Sequence, residues 1–368
     1  MAEIRVEKLH KAFAHQVAVR DSTFTIPDGD FFCLLGPSGC GKTTTLRMIA
    51  GLELPSSGTI RLGGEDVTFA PASRRDIAFV FQLFALYPHL TVRGNIAYPL
   101  RCQGTPRREI RERVEEAARI LRVTHLLDRS VSGLSSGDRQ RVALGRALVR
   151  KPRAFLLDEP LGALDTEFRE IMCGELRALH DRLGATTVYV THDQIEAMTM
   201  ADTIALMNEG RVEQIGPPQE IYDRPASAFV AGFVGSPPMS FLPVRGPLRR
   251  GDRAVGIGGT RVDVPELREE TAGELLLGVR PEHVRLAGPG ANGGVPAEVV
   301  DAEYVGTTQV VSLRIASGHP LRARVPSDVP ARRGDHVTLA FRADRLSLFD
   351  GATGRALRTA MNEERVLG

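Results

Sequence analysis

Three features of this 368-residue chain predict an α/β fold with a mostly parallel sheet, followed by an all-β domain. Short apolar runs alternate with helical patterns over residues 1–235, as strand–helix–strand units do when they build a parallel sheet. One of those runs leads straight into a glycine-rich loop and a helix. After Gly235 the helical patterns give way to short alternating runs punctuated by Pro and Gly, the mark of a small-strand barrel.

The buried strands are predicted at "FFCLL" (31–35), "IAFVF" (77–81), "AFLL" (154–157) and "TTVYVT" (186–191). Each is short, mostly apolar and suited to cover on both faces. Between the second and third, residues 88–152 are expected to form an inserted helical subdomain. In "RREIRERVEEAARILRV" (107–123), Ile110, Val114, Ala117 and Leu121 share one face among charges, so this helix is amphipathic. Residues 236–368 open on a Pro/Gly-rich stretch and continue with "TRVDV", "ELLLGVR", "QVVSLRI", "HVTLAF" and "RLSLF", the expected barrel strands.

Composition narrows the function. Hydrophobic residues make up 42% and charged residues 25%, as in ordinary globular proteins. The net charge of +2 argues against a nucleic-acid surface. "MAEIRVEKLH" lacks the apolar core of a signal peptide, and no apolar run approaches the ~20 residues of a membrane span. Cys33, Cys40, Cys102 and Cys173 have neither CxxC nor metal-ligand spacing and are expected to be free thiols in a reducing cytoplasm.

The chemistry is concentrated where the predicted strands end. "GPSGCGKT" (36–43) fits G-x-x-x-x-G-K-[ST] directly after a strand. Its residues Gly36, Pro37, Ser38, Gly39, Cys40 and Gly41 would curl backbone N–H groups around phosphate oxygens, with Lys42, Thr43 and Thr44 opening the helix. Lys42 reaches β- and γ-phosphates, and the Thr43 hydroxyl suits Mg²⁺. "AFLLDEP" puts Asp158 and Glu159 at a strand's carboxyl end, where open α/β sheets bind ligands. Asp158 suits Mg²⁺ through water, and Glu159 could polarise the water that attacks the γ-phosphate. Gln82 and His192 end two further strands. Taken singly, each of these four is an ordinary polar strand-end residue; with the phosphate loop they suggest nucleotide hydrolysis.

One stretch stays unexplained by this. "LSSGDRQR" (134–141) starts a helix whose first backbone N–H groups have no evident ligand.

The order of "GPSGCGKTT", Gln82, "LSSGDRQR", "LLDEP", "LGALD" (161–165) and "THD" (191–193) resembles the Walker A, Q-loop, signature, Walker B, D-loop and H-loop of ATP-binding-cassette (ABC) ATPases. The resemblance covers residues 1–235 and implies a RecA-like P-loop NTPase core binding ATP and Mg²⁺. Glu159, His192, Lys42 and Gln82 would serve hydrolysis, with Thr43, Gln82 and Asp158 around the metal. Phe13 matches the aromatic position that stacks on adenine. Ser135 and Gly137 would contact the γ-phosphate held by a second subunit, which gives the orphan N–H groups a ligand in trans. Ser136, Asp138 and Gly162 depart from the usual residues; Asp138 is expected to close a capping-box-like bond with Ser135.

The tail segments "VGSPPMSFLP" (234–243), "GVRPEHV" (278–284) and "LFDGATGRAL" (348–357) resemble the OB-like, TOBE-type regulatory domain of importer ATPases in the maltose and glycerol-phosphate group. That likeness implies a homodimer at the cytoplasmic face of the inner membrane, beneath two permease subunits and served indirectly by a solute-binding protein. "FQLFALYPHLTVRGNI" (81–96) resembles the segment that receives a permease helix. The implied solute is a sugar, polyol or glycerol phosphate; related ATPases serve polyamine, sulfate and ferric iron. Soluble ABC ATPases of ribosomes or DNA form the other class, but those usually carry two cassettes or a long coiled-coil insert.

Overall fold

A computed structural model describes residues 2–81, 85–162, 164–288 and 294–362. The chain divides into a first unit, Met1–Pro218, and a second, Gln219–Gly368. In order, the first unit opens with β1 (Ile4–Phe13), β2 (Gln16–Ile26), β3 (Phe31–Leu35), α1 (Lys42–Ala50), β4 (Ser57–Leu62), β5 (Glu65–Asp66) and β6 (Ile77–Val80). Three helices follow: α2 (Val92–Cys102), α3 (Arg107–Ile120) and α4 (Ser136–Leu148). It closes with β7 (Ala154–Asp158), α5 (Thr166–Leu183), β8 (Thr186–Thr191), α6 (Gln194–Met200), β9 (Thr203–Asn208) and β10 (Arg211–Gly216).

The main sheet has the order β10-β9-β3-β8-β7-β6. It is parallel except for β10, which runs antiparallel at one edge. Every residue of β3, β7 and β8 is buried, which is why these strands read as short, mostly apolar runs. The insertion between β6 and β7 is α2, α3 and α4. On α3 the buried residues are Val114, Ala117 and Ala118, the face expected from the spacing. A second, antiparallel sheet, β2-β1-β4-β5, is an addition to the predicted picture. Bulges in β1 around Leu9 and Lys11 break the alternation that would have announced it.

The second unit contains α7 (Pro218–Asp223), which begins at the boundary, then α8 (Ala228–Phe233) and ten strands: β11 (Ser240–Arg245), β12 (Ala254–Ile257), β13 (Thr260–Asp263), β14 (Glu274–Val279), β15 (Val284–Ala287), β16 (Val295–Val305), β17 (Thr308–Ile315), β18 (Pro320–Pro326), β19 (His336–Phe341) and β20 (Ser347–Asp350). They form sheets β11-β14-β20, β12-β13 and β15-β19-β16-β17-β18. One core holds them together, with Leu242, Val255, Leu277, Val299, Leu313 and Leu339 drawn from all three. Contacts place the boundary after Pro218, whereas composition placed it after Gly235. Arg280 contributes to the difference, together with the Ser227–Arg355 bridge. Its buried guanidinium donates to the carbonyls of Tyr222 (2.7 Å) and Val234 (2.6 Å) and lies 3.7 Å over the Tyr222 ring, which ties residues 219–235 to the β domain.

Candidate active site

Parallel register brings the strand ends to one edge. Leu35 of β3 lies opposite Thr191 of β8, Asp158 of β7 opposite Val190, and Val80 of β6 opposite Leu157. The glycine-rich loop, Glu159 and His192 all leave the sheet there, at the carboxyl edge used for ligands in open α/β folds.

The loop 36–41 arches over the start of α1, with Ser38 and Gly39 exposed at its crest. Gly41 is the N-cap at φ 104°, and no side chain caps the helix. A Cβ on Gly41 would sit 2.3 Å from the Ala18 carbonyl oxygen, so only glycine fits both the backbone angle and the space. Lys42 is buried, and its ammonium donates to the carbonyls of Gly36 and Pro37, both at 2.8 Å. Cys40 is buried within the loop, and desolvation raises its thiol pKa despite the neighbouring Lys42.

The Thr43 hydroxyl donates to Asp158 Oδ1 at 2.9 Å. Burial raises the Asp158 carboxyl above the ordinary range, opposed by that hydrogen bond. Glu159 adopts a left-handed backbone, φ 44°, unusual for a residue with a side chain. Its N–H donates to Val190 O (3.0 Å), and its own carbonyl accepts from Gly162 N (3.3 Å). His192 Nδ1 lies 3.3 Å from Glu159 Oε2. Thus Lys42, Thr43, Asp158, Glu159 and His192 share one edge; Gln82 lies outside the described residues. Two depressions, 650 Å³ beside Lys8 and Asp21 and 450 Å³ beside Glu298 and Arg314, are lined by none of these residues.

Comparison with known proteins gives the family. The family described as ABC transporter matches residues 19–162, the MalK OB fold domain residues 235–284 and the TOBE domain residues 277–349. The trehalose/maltose import ATP-binding protein MalK of Thermococcus litoralis is 46% identical over 97% of this chain and 100% of its own. The sn-glycerol-3-phosphate import ATP-binding protein UgpC of Cereibacter sphaeroides is 48% identical, with the same two coverages. This chain belongs to the ABC importer ATP-binding subunits. A solved ABC structure, cbiO1 from Clostridium perfringens, part of the complex cbiONQ, matches with a TM-score of 0.56 and 29% identity over 59% of this chain and 89% of its own.

As an ABC importer ATPase, the subunit couples ATP binding and hydrolysis to uptake. Two of its expected site residues sit in a different environment from the loop. Ser135 caps α4: its Oγ accepts from Asp138 N (3.2 Å) and donates to Asp138 Oδ2 (2.7 Å). The expected capping box therefore closes through the serine hydroxyl, not through its backbone N–H. Gly137 is buried, and a Cβ there would lie 2.0 Å from the Phe168 ring. Phe13 is 48% exposed, with the Lys11 ammonium 4.8 Å from its ring centre. It ends the hairpin whose Ala18 abuts Gly41.

Two arginines that brace the elements around the site carry no mark in the sequence patterns. Arg75, buried, donates to Met48 O (2.7 Å) and Ile49 O (2.8 Å), so a cation holds the carbonyl end of the phosphate-loop helix. Arg169 bridges the D-loop and the H-loop. The available signal was its place in the first turn of α5, where the helix dipole disfavours a cation.

Proposed function

We propose that the subunit works as a homodimer on the cytoplasmic face of the inner membrane, beneath two permease subunits, and hydrolyses ATP at this strand-end edge. The observation that carries the proposal is the pairing of two short contacts beside the phosphate loop: Thr43 with Asp158 at 2.9 Å, and Glu159 with His192 at 3.3 Å. The loop 36–41 and Lys42–Thr44 bind the phosphates, Lys42 exchanging its two carbonyl acceptors for phosphate oxygens. Phe13 stacks on adenine. Glu159 orients and activates the attacking water, and His192 and Lys42 stabilise charge on the γ-phosphate.

The donor set fits Mg²⁺. Thr43 and Asp158 offer hard oxygen atoms, and Mg²⁺ typically takes one or two protein ligands plus phosphates and water. Thr43 and Asp158, with Gln82, would hold the ion; when bound it neutralises charge on the β- and γ-phosphate oxygens.

Ser135 and Gly137 complete the partner's site, which makes ATP the adhesive of the dimer. The segment after Gln82 receives the permease. Ala85 O accepts from Arg146 of α4 at 2.6 Å, a link between the signature helix and that segment. The import names of relatives matching 97% of the chain, for trehalose/maltose and sn-glycerol-3-phosphate, support a sugar, polyol or glycerol phosphate as solute, delivered by a binding protein. Among the described residues no helix is long and apolar enough to cross a membrane.

Glu159→Gln tests the assignment. It should retain nucleotide affinity while turnover falls by ~10²-fold or more, the usual weight of a positioned general base. Steady-state ATP hydrolysis near wild type in that variant would refute the role.

A further inference from the structure

Arg169 occupies the first turn of α5, and its guanidinium reaches three separate acceptors. Nη2 donates to Leu164 O at 3.0 Å, in the turn that begins at Glu159. Nη1 donates to Asp193 Oδ2 at 3.0 Å, next to His192. Nε is buried without a hydrogen bond and lies 3.6 Å from Oε1 of Glu196, which is itself buried. The acceptors are themselves fixed. Asp193 Oδ1 caps α6 through Ile195 N (2.8 Å) and Glu196 N (3.4 Å). Glu196 Oε2 accepts from Tyr189 (2.7 Å) and Thr191 (2.6 Å), and Thr191 Oγ1 accepts from Asp193 N (3.0 Å).

His192 itself is exposed, so its place rests on its neighbours Thr191 and Asp193. We propose that Arg169 is a positioning residue that locks the Glu159 turn to the His192 segment and so sets the Glu159–His192 contact for hydrolysis. The inference rests on the roles given above to Glu159 and His192. Bidentate reach is essential to it, because one planar fork holds the turn and the H-loop at once. Removing the fork would leave Asp193 and Glu196 as neighbouring carboxylates with no cation between them, and would free the turn at Leu164. The phosphate loop makes none of these bonds, so nucleotide affinity should be spared.

The test uses the full chain, with nucleotide Kd, kcat and melting temperature measured for Arg169→Met, Arg169→Lys and Asp193→Asn. Arg169→Met should lower kcat by ~10-fold or more with Kd within about twofold, the split expected when an interaction needed only for turnover is lost. Arg169→Lys keeps the charge but loses the fork, and should recover part of the rate. Adding Asp193→Asn to Arg169→Met should cost little more than Arg169→Met alone, since both cut one link. Turnover within twofold of wild type for Arg169→Met overturns the proposal. So does a melting temperature that falls while kcat, measured well below it, is unchanged. Should Arg169→Met not fold, Arg169→Lys decides: reduced kcat at unchanged melting temperature supports the role, wild-type kcat overturns it. Glu159→Gln and His192→Ala run alongside. If they too keep full turnover, the site assignment has failed; if they lose it and the Arg169 variants do not, only this inference has.

Discussion

The starts of α1 and α4 both follow glycine-containing loops and both present backbone N–H groups, yet they are finished differently. At α1 the N-cap is Gly41, no side chain accepts from the first turn, and no acidic residue lies in it. At α4 the N-cap is Ser135, whose hydroxyl takes up the Asp138 N–H, and the Asp138 carboxylate sits within the positive end of the helix. The first arrangement leaves the N–H groups and the helix field for an anion. The second satisfies part of its own demand. The helix end proposed to hold phosphate in its own chain is thus built bare, and the one proposed to meet phosphate across an interface is built capped. Arg141, 3.5 Å from Asp138 and paired with Glu175 at 3.1 Å, offsets some of the added negative charge.

The largest predicted contrast comes from one alanine substitution at each end. Gly41→Ala forces a Cβ against the Ala18 carbonyl at a left-handed angle. A strain of about 2 kcal/mol should weaken nucleotide binding ~30-fold. Ser135→Ala should leave the affinity of the dissociated subunit unchanged, because its proposed phosphate contact exists only across the dimer, and cost ~1 kcal/mol of stability through the lost cap. Titration with a fluorescent nucleotide and denaturant melts separate the two; equal loss of affinity in both would erase the distinction.

A smaller effect is expected at Gly137. An added Cβ there meets the Phe168 ring, an overpacking cost of ~1–3 kcal/mol. Phe168→Leu in the same chain should recover much of it, because the shorter side chain clears the site. An unchanged melting midpoint for Gly137→Ala alone would mean the ring swings aside. The smallest effect belongs to Ser136→Gly with Asp138→Gln. Removing the carboxylate should strengthen anion docking at α4 and raise hydrolysis ~2–3-fold, held down because Arg141 already offsets the charge. Rates against protein concentration test this; lower activity would show that Asp138 assists closure.

Local order explains what could be read beforehand. A strand buried on both faces is mostly apolar, so the glycine-rich loop after "FFCLL", the Asp158–Glu159 pair after "AFLL" and His192 after "TTVYVT" stand out, and they are the ones brought to the shared edge. The β1 strand, "IRVEKLHKAF", buries only Ile4, Val6 and Leu9, and its bulges disguise the period, so the antiparallel sheet was hidden. The Arg169–Asp193 pair joins residues 24 positions apart, a partnership no periodicity announces. The helices of residues 219–235 look like a continuation of the α/β alternation; the grip of Arg280 on Tyr222 and Val234, the Ser227–Arg355 bridge and the packing of Ala231 with Phe349 assign them to the β domain.

The central claim is that Lys42 acts within its own chain while the start of α4 serves the partner's nucleotide. Subunit mixing tests it most directly. Lys42→Ala disables one half of a site, and Ser135→Arg, at an exposed cap, disables the other. Each variant alone should hydrolyse little ATP. Mixed, they form heterodimers in which one site pairs an intact phosphate loop from the Ser135→Arg chain with an intact α4 start from the Lys42→Ala chain. The account predicts that hydrolysis returns on mixing, as the two inactive chains supply each other. Two inactive variants that stay inactive together, despite demonstrated exchange of subunits, would contradict it.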